Sequence, residues 1–266
     1  MHNMNQSEFL RNVATEGKKI AKKSLGQNFL VNVEIIEKIA SCFEVSDLTN
    51  IIEIGTGLGS LTFSLLKRTQ SFTGIEKDVE LNAKLCELFD GANAKFLNDD
   101  ALQFNFAEIS NENTVIVSNL PYNVGTKILI HIGTTTLPKI RSMVVMLQKD
   151  VIEKITAKHG SKSYHQLGVF FQTFCEIEQI CVVTQACFSP APNVLSAVVK
   201  ISPIKQVQNI EQYWKFLHKA FSYNRKMLST IFDKTIDEKF AKKRPNELKP
   251  DELLEVFMGI AGRSPI

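Results

Sequence analysis

The sequence predicts an α/β fold, a mainly parallel sheet covered by helices on both faces, followed by a small all-helical carboxyl-terminal domain. Three observations predict it. Short β-branched runs alternate with helical stretches from residue 50 to residue 147, and a glycine-rich turn joins the first run directly to a helix. From Ile210 onward strand signals cease and charge density rises. A chain of 266 residues with 44% apolar content can fill one large core and a smaller one.

Residues 1–30 are polar and basic, with five Lys or Arg against two Asp or Glu. They hold no apolar stretch ahead of a small-residue cleavage site, so a secretory leader is not expected and the protein is read as cytoplasmic. Residues 33–43 have amphipathic periodicity, with Ile35, Ile36, Ile39, Ala40 and Phe43 on one face. Strands are expected at 50–54, 72–76, 94–97, 114–118 and 143–147, with helices at 58–68 and 79–89. The runs 175–184 and 196–201 flank a Pro-bearing loop and suit an antiparallel hairpin at the sheet edge. A boundary within 202–208 then divides the chain into 1–203, which includes the basic segment 1–30, and a helical domain at 204–266.

Composition narrows the function classes. No apolar run approaches the roughly 20 residues needed to cross a bilayer, so no membrane role is expected. Five cysteines without a C-x-x-C pair suit reduced thiols, and five histidines show no metal spacing, so no metal is expected. The net charge of +3 is uneven: residues 31–200 carry fourteen Lys or Arg against eighteen Asp or Glu, while 201–266 carry twelve against eight. Basic ends would meet an anionic polymer first, though they would equally serve solubility.

The first strand runs into Glu53-Ile54-Gly55-Thr56-Gly57-Leu58-Gly59, and Glu76 closes the second strand. Glycines suit a tight turn where a ligand approaches bare backbone, and an acid at the Glu76 position accepts from ribose hydroxyls of an adenosine-bearing cofactor. A dehydrogenase would share these features. The G-x-G-x-G spacing and the acid at Glu53 favour instead a sulfonium cofactor carrying an ammonium group, since a pyrophosphate would be repelled there. Asp99 and Asp100 end the third strand as candidates for the adenine amine, or as turn and cap residues.

The fourth strand delivers Asn119-Leu120-Pro121-Tyr122 at its carboxyl end, where ligands of such sheets bind. The amine of adenine is a weak nucleophile because its lone pair is conjugated into the ring. The Asn119 side-chain oxygen and the Leu120 carbonyl could accept both amine hydrogens and release that pair. Pro121 stiffens the loop, and Tyr122 offers a ring for a flipped base. Taken alone, the tetrapeptide would also suit an ordinary turn.

These residues together resemble the ribosomal RNA small-subunit adenine N6-dimethyltransferases of the KsgA/RsmA and Dim type. The resemblance is carried by Lys23-Ser24-Leu25-Gly26-Gln27-Asn28-Phe29-Leu30, the Glu53–Gly59 loop, Glu76, Asp100-Ala101-Leu102, Asn119 to Asn123, Leu147-Gln148-Lys149-Asp150 and Phe188-Ser189-Pro190-Ala191-Pro192-Asn193-Val194. It implies a Rossmann-like class I methyltransferase domain with a helical RNA-gripping domain. It implies S-adenosyl-L-methionine as cofactor, held by Asn28, Leu30, Gly55, Gly57, Glu76, Asp100 and Asn119. Tyr122 and Phe188 would sandwich the target base, and Lys22, Lys23, Arg225 and Lys226 would meet RNA. The implied substrate is a pair of adjacent adenosines in a hairpin near the 3′ end of small-subunit (16S) rRNA, the partner an immature 30S subunit, and the working form a monomer.

Thr56 stands where the family commonly has proline, Asn224 where arginine is usual, and Gly125-Thr126-Lys127 replaces a more typical Ser-Thr-Pro. The rival readings are a large-subunit (23S) rRNA adenine dimethyltransferase of the antibiotic-resistance type, a DNA adenine methyltransferase, which would usually show Asp-Pro-Pro-Tyr, and an assembly or transcription factor in which binding dominates. Leu120 and the 188–194 run favour the small-subunit enzyme.

Overall fold

The computed structural model describes residues 5–204, 209–232 and 236–261, apart from the side chain of Lys23. The chain opens with α1 (Gln6–Ile20), β1 (Phe29–Leu30) and α2 (Val33–Ala40). The alternating part follows as β2 (Asn50–Ile54), α3 (Ser60–Leu65), β3 (Ser71–Glu76), α4 (Val79–Leu88), β4 (Ala94–Asn98), α5 (Phe106–Ile109) and β5 (Thr114–Asn119). After α6 (Gly125–Thr135) come β6 (Ser142–Gln148), α7 (Lys149–Thr156), α8 (Gln166–Phe174) and β7 (Cys175–Val183). β8 (Phe188–Ser189) and β9 (Ser196–Pro203) precede α9 (Ile210–Ser222), α10 (Leu228–Ile231), α11 (Glu238–Ala241) and α12 (Pro250–Ala261).

Seven strands form one sheet in the order β4-β3-β2-β5-β6-β9-β7. The first five are parallel, and β9 runs antiparallel between β6 and β7. The interior strands are continuous apolar runs because helices cover both faces, as a parallel sheet requires. The order reverses beside β2, which has β3 on one side and β5 on the other. A crevice therefore opens at the carboxyl ends of these three strands.

One apolar core lies under α1 to α4, with Phe63, Val117 and Val144 at its centre. The other lies under α6 to α8 and continues without a break into the carboxyl-terminal helices, so Tyr213, Leu217 and Leu253 share it with Phe170 and Phe174. The expected helical segment is thus present, and its inner face is the outer layer of the sheet domain. Of the stretch 202–208, where the boundary was expected, residues 205–208 lie outside the described residues, and 202 and 203 still belong to β9. Trp214 packs edge-on against Phe170 with ring centres 5.3 Å apart, as core packing predicts.

Three elements differ from expectation. The polar lead is a 15-residue helix, capped where the Asn5 side chain accepts from the Glu8 N–H, and it buries Phe9, Leu10 and Val13. Phe9 stacks on Phe63 at 4.8 Å. The predicted 58–68 helix is shortened to Ser60–Leu65 because Gly59 sits at φ +84°, outside helical space. Residues 223–226, inside the segment expected to be helical, form a turn after α9. Of the cysteines only Cys175 is fully buried, and Cys86 is exposed. Among the described residues no helix is long and apolar enough to cross a membrane.

Candidate active site

The crevice encloses a cavity of about 310 Å³, within the range of small-molecule sites. Its floor is the glycine turn after β2. Gly55 and Gly57 hold φ of +70° and +58°, and a Cβ on Gly57 would come within 3.1 Å of the Phe29 ring. The turn must therefore stay bare, which leaves its backbone open to a ligand. Residues 24–30 form the opposite wall, and Asn119 to Val124 the rim.

Glu76 points its carboxylate across the turn. One oxygen accepts the Gly57 N–H at 2.8 Å and the other the Asp78 N–H at 2.9 Å. Burial pushes its pKa up, opposed by those two N–H groups. Each oxygen retains a lone pair for a further donor. Glu53, 1% exposed, accepts from the Thr62 hydroxyl at 2.6 Å, and desolvation raises its pKa to about 8. Burial thus disfavours the charged form at the position where a negative charge was expected. Asp100 is held below its usual range chiefly by Lys77, whose ammonium lies 2.7 Å away, and by the Leu102 N–H. Thr56, at the position commonly proline, is buried and its hydroxyl has no partner.

The amino-terminal segment is stitched to the catalytic loop. The Asn119 amide donates to the Asn28 carbonyl at 3.0 Å, and the Asn123 amide donates to the Ser24 carbonyl at 3.1 Å. That bond uses one of the two Asn119 amide hydrogens and orients the group, and among the described residues its oxygen has no partner. Leu120 is fixed by its N–H bond to Met146, and the Pro121 carbonyl accepts from Val124 and Gly125, winding the loop into α6. Tyr122 is half-buried, with its hydroxyl on that of Ser196.

The cavity thus brings together Asn28, Leu30, Gly55, Gly57, Glu76, Asp100, Asn119, Leu120, Pro121 and Tyr122. Phe188 is elsewhere: it pairs with Leu30 in a two-stranded β1–β8 sheet and is 4% exposed within the core under α1 to α4. Lys22 is engaged within the protein, its ammonium 2.9 Å from Asp78 and 2.8 Å from Glu80, while Gln27 bridges the Lys22 N–H and Asp78. The Lys23 side chain lies outside the described residues. Arg225 and Lys226 are exposed, with the Lys226 ammonium 5.0 Å from the Tyr223 ring centre. Tyr213 near the start of α9 meets Phe174 at the end of α8, and Phe221 at the end of α9 meets His165 at the start of α8, so α9 climbs back toward the strand carboxyl ends.

Sequence reasoning did not single out Asp78, Thr62 or Ser196. Asp78 carries a legible cap signal, two residues past a strand, and caps α4 through the Glu80 N–H. Thr62 and Ser196 act through partners distant in sequence and carry no local signal.

A family described as ribosomal RNA adenine dimethylase matches residues 18–255. The chain is 36% identical over 222 residues to ribosomal RNA small subunit methyltransferase A of Staphylococcus carnosus, covering 79% of this chain and 75% of that one. It is 32% identical over 251 residues to the protein of that name from Hahella chejuensis, covering 91% and 92%. Its fold is similar to a dimethyladenosine transferase from Plasmodium falciparum, with TM-score 0.76, 22% identity and coverage of 88% and 97%. It is also similar to the 23S rRNA methyltransferase ErmE, with TM-score 0.69, 22% identity and coverage of 88% and 100%. At that identity the two structures establish the class I methyltransferase fold alone. With a family match across nearly the whole chain and Asn119 to Tyr122 lining the crevice, the chain belongs to the ribosomal RNA adenine dimethylase family.

Proposed function

We propose that this protein dimethylates the N6 amines of two adjacent adenosines in a hairpin near the 3′ end of small-subunit rRNA, acting in the cytoplasm on the immature 30S subunit as a monomer. The methyl donor is S-adenosyl-L-methionine, which supplies a methyl group on a positively charged sulfur. The bare glycine turn, the remaining acceptor capacity of Glu76 and the buried Glu53 fit that molecule's ribose and cationic amine. Asn28, Leu30, Gly55, Gly57, Glu76, Asp100 and Asn119 are the residues proposed to hold it.

The observation that carries the reading is the bond from the Asn119 amide to the Asn28 carbonyl. It leaves the Asn119 oxygen as an acceptor at the cavity rim. That oxygen and the Leu120 carbonyl draw the hydrogens of the target amine out of the ring plane, freeing its lone pair. Tyr122 supplies the stacking surface for the extruded base, and Phe188 supports the wall from behind Leu30. A methylated amine becomes a cation and loses its proton readily, so positioning carries most of the acceleration. Arg225 and Lys226 meet RNA phosphates, and salt would weaken that contact.

Asn119→Ala should lower methyl transfer to unmethylated small subunits by about 10²-fold or more, a larger loss than it causes in cofactor affinity, because the reacting geometry is lost together with only one of several cofactor contacts. Turnover at the parent rate would contradict the role given to Asn119. Mapping methylated adenines in small-subunit and large-subunit rRNA from the same cells fixes the substrate.

A further inference from the structure

Ser196 opens β9 as a fully buried residue, paired across the sheet with Gln148 of β6 and Val183 of β7. Its hydroxyl lies 2.5 Å from that of Tyr122, and among the described residues neither hydroxyl has another partner. The backbone beside it is pinned as well, since the Lys149 N–H donates to the Leu195 carbonyl at 2.9 Å. A buried hydroxyl is costly unless it is hydrogen-bonded, and its neighbours Ala197 and Val198 show that the site accepts apolar side chains. Tyr122 is half-buried and could give its hydroxyl to water instead. The bond is therefore demanded by Ser196 and confers something on Tyr122.

We infer that Ser196 is a positioning residue for methyl transfer, fixing the Tyr122 ring from the buried start of β9 so that a stacked adenine presents its amine to Asn119. The hydroxyl lies on the axis of the ring, so anchoring it sets the direction of the whole side chain. The in-plane preference of a phenol hydroxyl then restrains rotation of the ring about that axis. Without the anchor the ring still stacks on a base but at varied angles, so the loss falls on the chemical step more than on binding. The inference rests on the reading of Tyr122 as the base platform.

The test uses the full chain, S-adenosyl-L-methionine and unmethylated small subunits, with Ser196→Ala, Tyr122→Phe, the double variant and Tyr122→Ala. Each single change that breaks the bond should lower kcat about three- to tenfold, with the KM for RNA and the cofactor Kd unchanged. The double variant should be no slower than either single one. A hairpin with 2-aminopurine at the target position should show weaker quenching on Ser196→Ala than on the parent. Parent-level kcat in Ser196→Ala, or additive losses in the double variant, overturns the inference. If Ser196→Ala does not fold, Tyr122→Phe decides alone, and an unchanged kcat overturns it. Full activity of Tyr122→Ala would instead sink the platform reading itself, whereas an inactive Tyr122→Ala beside an unimpaired Tyr122→Phe would sink only the role of Ser196.

Discussion

Glu53 is a carboxylate almost wholly removed from water. With its pKa raised to about 8 by burial, it holds a proton in the folded protein at pH values where the unfolded chain has released it. Between the usual carboxylate range and pH 8 the native state binds more protons than the unfolded state, so stability falls as pH rises through that window. The ligand-free protein should therefore lose denaturation free energy between about pH 5 and pH 8, and Glu53→Gln should flatten that slope. Chemical unfolding of both proteins across the window checks this; identical slopes would refute it. Glu76, also buried, is held differently, because two backbone N–H groups receive its oxygens. Two acids at the same crevice thus sit in different settings, Glu76 met by two backbone N–H groups and Glu53 by the Thr62 hydroxyl alone.

At the scale of elements, the amino-terminal segment behaves as a fastened cover. Burial alone would raise the Asp78 pKa, yet the Lys22 ammonium and the Gln27 amide hold it below the usual range. Lys22→Met should release that fastening, raising the cofactor Kd several-fold while leaving RNA affinity nearly unchanged, since Lys22 is already paired within the protein. Calorimetry and RNA binding measured on one preparation check it; a loss of RNA affinity alone would return Lys22 to phosphate contact. The strands were legible because β-branched residues cluster there, and the five parallel runs fall within one residue of their expected ends. α1 was not, because Phe9, Leu10 and Val13 are too few to stand out among its polar residues. The β1–β8 pair was invisible for another reason: two residues on each side, far apart in sequence, leave no periodicity. Phe188 shows the same limit, since its place in the core depends on that pairing. The glycine turn, Glu76 and the Asn119 loop were legible because each is a short pattern fixed to a strand end.

For the whole molecule, the carboxyl-terminal helices share their core with α6 and α8, so they unfold with the sheet. Leu217, fully buried in that core, should cost about 2–5 kcal/mol when changed to alanine, and denaturation should remain a single transition. Two separated transitions would instead mark independent domains. The small antiparallel pair of β1 and β8 has a broader consequence. Residues 29 and 30 find their partners at 188 and 189, and Gly17 on α1 lies so close that a Cβ there would come within 2.8 Å of the Ser189 carbonyl. During translation, residues 29 and 30 must wait for about 160 further residues before they can dock, a delay of several seconds to half a minute at ordinary elongation rates. The cavity wall that includes Phe29 and Leu30 is therefore completed late in the making of the chain, after most of the sheet strands exist.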